Sequence, residues 1–132
     1  MKRILFSLVM LFALLVTSPA FAADKGHKGH DCSTMCNSCA KTCEDALKAC
    51  EEKGGKHADK AHTDKLKDCI AICKACSDLG ARNSKLAGKL RAVCAEACKT
   101  CATSCDSLKD DKLKDCVKAC NDCASMCQEN SK

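Results

Sequence analysis

Cysteine spacing constrains the fold of this chain more than any other feature. Sixteen of the 132 residues are cysteine, and they fall into four blocks in which successive gaps of four, three and four residues recur. At about 100° per residue, such offsets return to within about 40° of one direction on an α-helix. The spacing therefore predicts four helices, each carrying its thiols in one narrow stripe. The blocks are Cys32, Cys36, Cys39, Cys43 and Cys50; Cys69, Cys73 and Cys76; Cys94, Cys98, Cys101 and Cys105; and Cys116, Cys120, Cys123 and Cys127.

The residues between the cysteines favour helix, because Ala, Lys, Leu, Asp and Glu dominate and no proline interrupts them. Gly54-Gly55 should end the first helix. Cys105 and Cys116 are eleven residues apart and would lie on the same face of a single helix, so helices three and four could be continuous. We expect a turn between them, because one long amphipathic helix would need another helix to cover its cysteine stripe. The predicted helices run from about Asp31 to Lys53, from Asp59 or Thr63 to about Gly80, from Asn83-Ser84 to about Ser107, and from about Asp111 to Asn130.

An internal repeat indicates how the helices are arranged. Asp64-Lys-Leu-Lys-Asp-Cys69 recurs as Asp111-Lys-Leu-Lys-Asp-Cys116. Two helical hairpins follow, and an antiparallel bundle would pair them around one axis. The predicted fold is all-α, an antiparallel four-helix bundle with a Cys-lined core over residues 31–132.

The first 22 residues predict a secretory signal peptide. A basic start precedes an apolar run from Ile4 to Val16, and Ala20-Phe21-Ala22 forms a small-residue cleavage site. The apolar run is too short to span a membrane. We expect export through a Sec-type signal to the periplasm or medium, with no membrane attachment after cleavage. Residues 23–30 form a polar, Gly-containing tail that we expect to be flexible.

Composition limits the function and the core. Without Lys2 and Arg3, the chain carries 20 basic and 17 acidic side chains, a balance that argues against a nucleic-acid partner. Beyond residue 22 there are only seven Leu, two Ile and two Val. Because these cannot fill a core, the cysteines must occupy the interior as buried apolar groups, disulfides or metal ligands.

Helix geometry helps to distinguish disulfides from metal ligands. Side chains at i and i+4 have Cβ atoms about 5–6 Å apart, whereas a disulfide needs about 3.5–4.5 Å. A metal ion with bonds of about 2.3 Å to sulfur can bridge such a pair. Cu(I) is soft and accepts two or three thiolates, while zinc prefers four ligands, usually from knuckle-like turns that this chain lacks. The spacing does not fit the cysteine runs of iron–sulfur ferredoxins.

The Cys-x3-Cys-x2-Cys-x3-Cys pattern in helices one, three and four, with a three-Cys version in helix two, resembles the four-helix-bundle copper storage proteins. The resemblance covers nearly all of residues 31–130. It implies a core that binds many Cu(I) ions, all sixteen cysteines as ligands, a homotetramer, and proteins that donate or accept copper. Gly80 departs from the pattern, since it stands where a fourth cysteine of helix two is expected.

Soft side chains also mark one end of the predicted bundle. Met35 and Met126 should lie beside Cys32 and Cys127, with His30 and His27 just upstream. Thioether and imidazole are copper ligands of intermediate softness, so we interpret Met35, Met126 and His30 as further metal ligands at a mouth for Cu(I). Core packing for the methionines and a solvated tail for the histidines are the competing interpretations. At the opposite end, His62 points along the Cys69 stripe, but a polar loop or cap role for it and for His57 is favoured.

Two other functions use the same cysteines. The even number and the export signal suit a secreted helical domain stapled by inter-helix disulfides, and a metallothionein-like zinc buffer is a third interpretation. An enzyme is disfavoured, because sixteen equivalent thiols suggest binding capacity and no activated nucleophile is evident.

Overall fold

The structure, a computed structural model, describes residues 28–132, with side chains from residue 32 onward. The predicted signal peptide and most of the polar tail lie outside these residues. Within them the chain is helical and contains no strand, which confirms the all-α prediction. The helices are α1 (Lys28–Lys53), α2 (Lys60–Ala81), α3 (Ala87–Ser107) and α4 (Lys114–Glu129), with 3-10 turns at Gly55–Ala58 and Asp111–Leu113.

The four helices pack as a closed antiparallel bundle. Each helix contacts the next one along the chain, and α4 returns to contact α1. Sequential neighbours joined by short connections must run in opposite directions, as the repeat predicts. α1 begins at Lys28, three residues before the predicted start, so the last residues assigned to the tail are helical. None of the helices in residues 28–132 has the length and apolar character of a membrane span.

The first connection is short and is set by glycine. α1 ends at Lys53, and Gly54 and Gly55 adopt φ of 73° and 58°, the left-handed region that glycine occupies without a steric cost. The carboxylate of Asp59 then accepts a hydrogen bond of 3.4 Å from the Ala61 N–H and caps α2. Both boundaries agree with the sequence prediction.

The other connections use left-handed residues that are not glycine. Asn83 has φ of 53°, and the following turn, in which Ser84 Oγ accepts from the Leu86 N–H at 3.2 Å, delays the start of α3 to Ala87. Lys109 has φ of 52° and separates α3 from α4. The turn predicted there is confirmed. Asp110 stabilises it by accepting from the Lys112 N–H at 3.0 Å.

Cysteine supplies most of the core. All sixteen cysteines are at most 2% exposed, and alanines fill much of the space beside them. Leu66 and Leu113 are 0% and 1% exposed, so both pack inside the bundle. Small side chains at the axis let the helices approach closely, and the thiols therefore meet one another instead of meeting aliphatic groups.

Candidate metal centre

The thiols line the bundle axis, and all sixteen are free. The shortest sulfur–sulfur distances are 3.4 Å, for Cys36 with Cys127 and for Cys43 with Cys120. A disulfide bond is about 2.05 Å long. The described residues thus contain no sulfurs at bonding distance, and the disulfide-stapled interpretation is not favoured.

The thiols gather into five groups of four. Within each group all four sulfurs lie within 4.8 Å of one another. In order along the axis, the groups are Cys32, Cys36, Cys76 and Cys127; Cys36, Cys94, Cys123 and Cys127; Cys39, Cys73, Cys98 and Cys123; Cys39, Cys43, Cys69 and Cys120; and Cys43, Cys101, Cys116 and Cys120.

Consecutive groups share sulfurs. Cys36 and Cys127 belong to the first two groups, and Cys43 and Cys120 to the last two. A single sulfur, Cys123 or Cys39, joins each of the other consecutive pairs. The array is therefore continuous, with no break at which separate metal sites could be distinguished.

Sulfur separations in the array are close to those that bound metal ions need. Contacts between helices include Cys73 with Cys98 at 3.6 Å and Cys69 with Cys98 at 3.7 Å. With bonds of about 2.3 Å, a tetrahedral ion needs sulfurs about 3.8 Å apart, a trigonal ion about 4.0 Å and a linear ion about 4.6 Å. Shifts of the sulfurs by a few tenths of an ångström would therefore admit tetrahedral or trigonal ions, and the choice between zinc and Cu(I) depends on charge and softness instead of on these distances.

Contacts within one helix also occur, as the spacing predicts. The Cys-x3-Cys pairs Cys94–Cys98 and Cys123–Cys127 are each 4.0 Å apart at sulfur. The shortest contacts, however, join different helices. Sequence periodicity indicated which face each thiol occupies, but not which thiols of different helices meet.

Hydrogen bonds between thiols affect their ionisation. Cys123 donates to Cys36 at 3.7 Å, and hydrogen bonds from Cys123 and Cys127 lower the pKa of Cys36 to about 6. Cys50 lacks such thiol neighbours, and burial raises its pKa. Other S–H groups thus stabilise a thiolate at Cys36.

Met35 and Met126 lie where the sequence placed them, partly buried against the core. The first thiol group is beside them, and Cys32 and Cys127 are 3.5 Å apart at sulfur. The Met126 Sδ accepts a hydrogen bond of 3.5 Å from the Asn130 side-chain amide. His30 lies on the first turns of α1, among the residues whose side chains are not described, and His27 lies outside the described residues.

At the opposite end, His62 does not have the loop or cap role that the sequence favoured. His62 is only 6% exposed, and its Nε2 is 3.5 Å from Cys50 Sγ. Its Nδ1 is 2.7 Å from Ser104 Oγ. Burial lowers the pKa of His62 and favours the neutral ring. Asp59, and not His62, caps α2. The sequence indicated that His62 faces inward, because it lies seven residues before Cys69.

His57, in contrast, has a structural partner outside the array. Its Nε2 is 2.9 Å from Asp110 Oδ2, and Lys53 Nζ lies 2.6 Å from the same oxygen. The hydrogen bonds from Lys53 and the Lys112 N–H lower the pKa of Asp110 to about 2. This cluster ties the first connection to the third.

Comparisons with known proteins agree with this architecture. The family model described as copper storage protein matches residues 25–132. A protein of Nitrosospira multiformis with a solved crystal structure is 32% identical, with a TM-score of 0.75, over 80% of this chain and 95% of that chain. The Cu(I)-bound copper storage protein BsCsp3 is 26% identical, with a TM-score of 0.74, over 80% and 99% of the two chains. Among curated proteins, none matches the chain.

Proposed function

The chain belongs to the copper storage protein family, and on that premise we propose that its sixteen cysteines are Cu(I) ligands, most of them in one continuous array. The chain binds and stores multiple Cu(I) ions in its bundle core. The observation that carries the residue assignment is the series of five four-thiol groups that share sulfurs from one end of the bundle to the other. The six shared thiolates would bridge neighbouring ions, so each of them would serve more than one ion.

Charge favours Cu(I) over zinc in this core. The five groups draw on fourteen cysteines. If each group held one zinc ion, fourteen thiolates would leave a net of about four negative charges in a buried environment, which is costly. One Cu(I) per thiolate leaves no net charge. The thiolate donors are also the soft ligands that Cu(I) prefers.

A binding role without catalysis follows from the equivalence of the thiols. Catalytic cysteines are single, partly exposed and activated by a neighbouring base or positive charge. Here every cysteine is buried, and most have other cysteines as neighbours. Such a core provides capacity, which is what a storage or detoxification protein requires.

Further ligands are proposed at the end of the bundle that holds the first thiol group. Met35 on α1 and Met126 on α4 pack against the core, and His30 precedes Met35 on α1. Thioether and imidazole groups there would bind Cu(I) less tightly than the thiolates do, and would extend the array toward solvent.

Location and partners follow from the sequence. We propose that a Sec-type signal over residues 1–22 directs the chain to the periplasm or medium, where its Cu(I) is received from and released to other proteins. A homo-oligomer, a tetramer by family resemblance, is proposed as the assembled form. Mass spectrometry of the exported protein tests the cleavage after Ala22, and sedimentation tests the assembly.

Anaerobic titration with Cu(I) against a coloured Cu(I) chelator tests the function. We expect many equivalents to bind with little change in helical circular dichroism, because the bundle already positions its thiols. Thiol titration after removal of the metal should find most of the sixteen cysteines free. Saturation by about four or five zinc ions, with no preference for Cu(I), would instead support the zinc buffer.

A further inference from the structure

Two thiols lie outside the five groups, at the end of the bundle formed by the first and third connections, which we call the connection end. Cys105 is 3.9 Å from Cys116 of the last group, whereas Cys50 lies beside an imidazole. Cys50, near the end of α1, and His62, near the start of α2, are 1% and 6% exposed. Neither belongs to the five thiol groups. Their nearest approach is 3.5 Å, between Cys50 Sγ and His62 Nε2.

Ser104 fixes the orientation of the imidazole. Its Oγ is 2.7 Å from His62 Nδ1. When the ring carries its proton on Nδ1, that N–H donates to Ser104, and the lone pair of Nε2 points toward Cys50. Metal-binding histidines typically have this arrangement, in which the second ring nitrogen is held by a hydrogen bond. The buried ring is therefore already oriented as a ligand.

A single metal ion fits between the two atoms without moving them. With bonds of about 2.3 Å to sulfur and about 2.0 Å to nitrogen, taken from zinc, an ion spans 3.5 Å at an angle of about 110°. This angle is close to the tetrahedral value of about 109° and a little below the trigonal value of about 120°, so an ion held here would need at least one further ligand. Cys50 and His62 form no three-ligand group with Cys116, so the site offers two protein ligands.

The site also adjoins solvent. Cys50 forms part of the wall of a cavity of about 340 Å³, together with Lys53, His57 and Asp110. Cys50 is thus a thiol at which the sulfur-lined core meets a space open to water. An ion bound there would lie between the cavity on one side and the thiol array on the other.

On the basis of the proposed storage of Cu(I), we propose that Cys50 Sγ and His62 Nε2 form a separate Cu(I) site at the connection end, through which ions pass between the cavity and the thiol array. One thiolate and one imidazole bind Cu(I) more weakly than two or three thiolates do. An ion captured at this site therefore moves inward until the array is full. The site is occupied last during loading and emptied first during release.

Two measurements test the proposal: an NMR titration of the His62 ring with Cu(I), and the rate at which the protein and its variants release copper. The long-range ¹H–¹⁵N NMR signal of His62 Nε2 should remain at its metal-free position through the early Cu(I) equivalents and shift with the last ones. For release, a protein loaded with Cu(I) is mixed with excess coloured chelator. We expect His62→Leu and Cys50→Ser to slow this release, and Ser104→Ala to weaken the last equivalent by about tenfold.

Ser125→Ala is the control, because the exposed Ser125 hydroxyl donates to the Asn121 carbonyl on the outer side of α4, away from the cavity and from the array. It should release copper at the wild-type rate. The proposal is overturned if the His62 Nε2 signal never shifts, or if Ser125→Ala slows release as much as His62→Leu does. If His62→Leu fails to fold, the NMR titration of the unmodified protein and the Cu(I) affinity of Ser104→Ala still test whether His62 binds copper. Failure of the storage function would look different, since the unmodified protein would then not take up many Cu(I) ions.

Discussion

Replacing Cys43 with serine distinguishes ions held by shared thiolates from ions held by complete groups of four. Cys43 is fully buried, and its sulfur lies 3.4 Å from that of Cys120, 3.7 Å from that of Cys116 and 3.9 Å from that of Cys69. It belongs to two of the five thiol groups. Its removal leaves each of these groups with three thiols.

The expected loss depends on how many ligands each ion needs. Cu(I) is satisfied by two or three thiolates, so Cys43→Ser should lower the Cu(I) capacity by about one ion. A tetrahedral zinc ion needs four ligands, so the zinc capacity should fall by two of the five groups. The serine hydroxyl stays within reach of neighbouring thiols, and we expect the metal-free protein to lose about 1–3 kcal/mol of unfolding free energy.

Cys76→Ser is the matched control for Cys43→Ser, because Cys76 is equally buried but belongs to only one group. Binding through shared thiolates predicts nearly equal Cu(I) losses for the two variants. Binding by complete groups predicts twice the loss for Cys43→Ser. Anaerobic titration against a coloured chelator measures both. A twofold difference in Cu(I) capacity between the variants would refute the shared array.

Three further predictions concern packing, charge and the methionines. Leu66→Ala should cost about 2–5 kcal/mol in urea unfolding of the metal-free protein, because Leu66 is fully buried; a cost below about 1 kcal/mol would contradict its packing role. Lys53 lowers the pKa of Asp110 to about 2, so the stability that Asp110 contributes is complete above its ordinary pKa of 3.8 and is lost as the pH falls through about 2. The difference in melting temperature between the protein and Asp110→Asn should therefore be present at pH 7 and shrink toward pH 2; a constant difference would exclude the ion pair as its cause. Replacing both Met35 and Met126 with leucine should weaken Cu(I) binding while changing stability by less than about 1.5 kcal/mol, and unchanged Cu(I) affinity would leave these residues a packing role only.

Most of the fold was predictable because one residue type marks the inward face of every helix. A buried stripe must recur at helical spacing, so the positions of Cys32 to Cys127 indicate four helices and their faces. The end of α1 was equally predictable, since Gly54 and Gly55 supply the left-handed backbone that ends it. The break before α4 depends instead on Lys109, whose side chain gives no signal for a left-handed conformation.

The contacts between thiols of different helices were not predictable from spacing. The face of a helix follows from its own sequence, but the axial shift between two helices depends on the connections and on packing at many positions. Cys36 and Cys127 are 91 residues apart, and no local pattern indicates that their sulfurs meet. His62 shows the same limit, since its spacing suggested an inward direction but not its contact with Cys50 or with Ser104.

The thiol array explains how the bundle can be stable both empty and full. Without metal, buried thiols are mostly protonated and neutral, and they donate hydrogen bonds to one another, as Cys123 does to Cys36. When Cu(I) binds, each thiol that becomes a ligand loses a proton and gains a positive ion, so the charge of the core does not change. The helices therefore need not open to compensate a new charge, and adjustment of the sulfurs by a few tenths of an ångström admits trigonal ions. The same exchange makes protons compete with copper, so the affinity for Cu(I) falls as the pH falls below the pKa of the thiols.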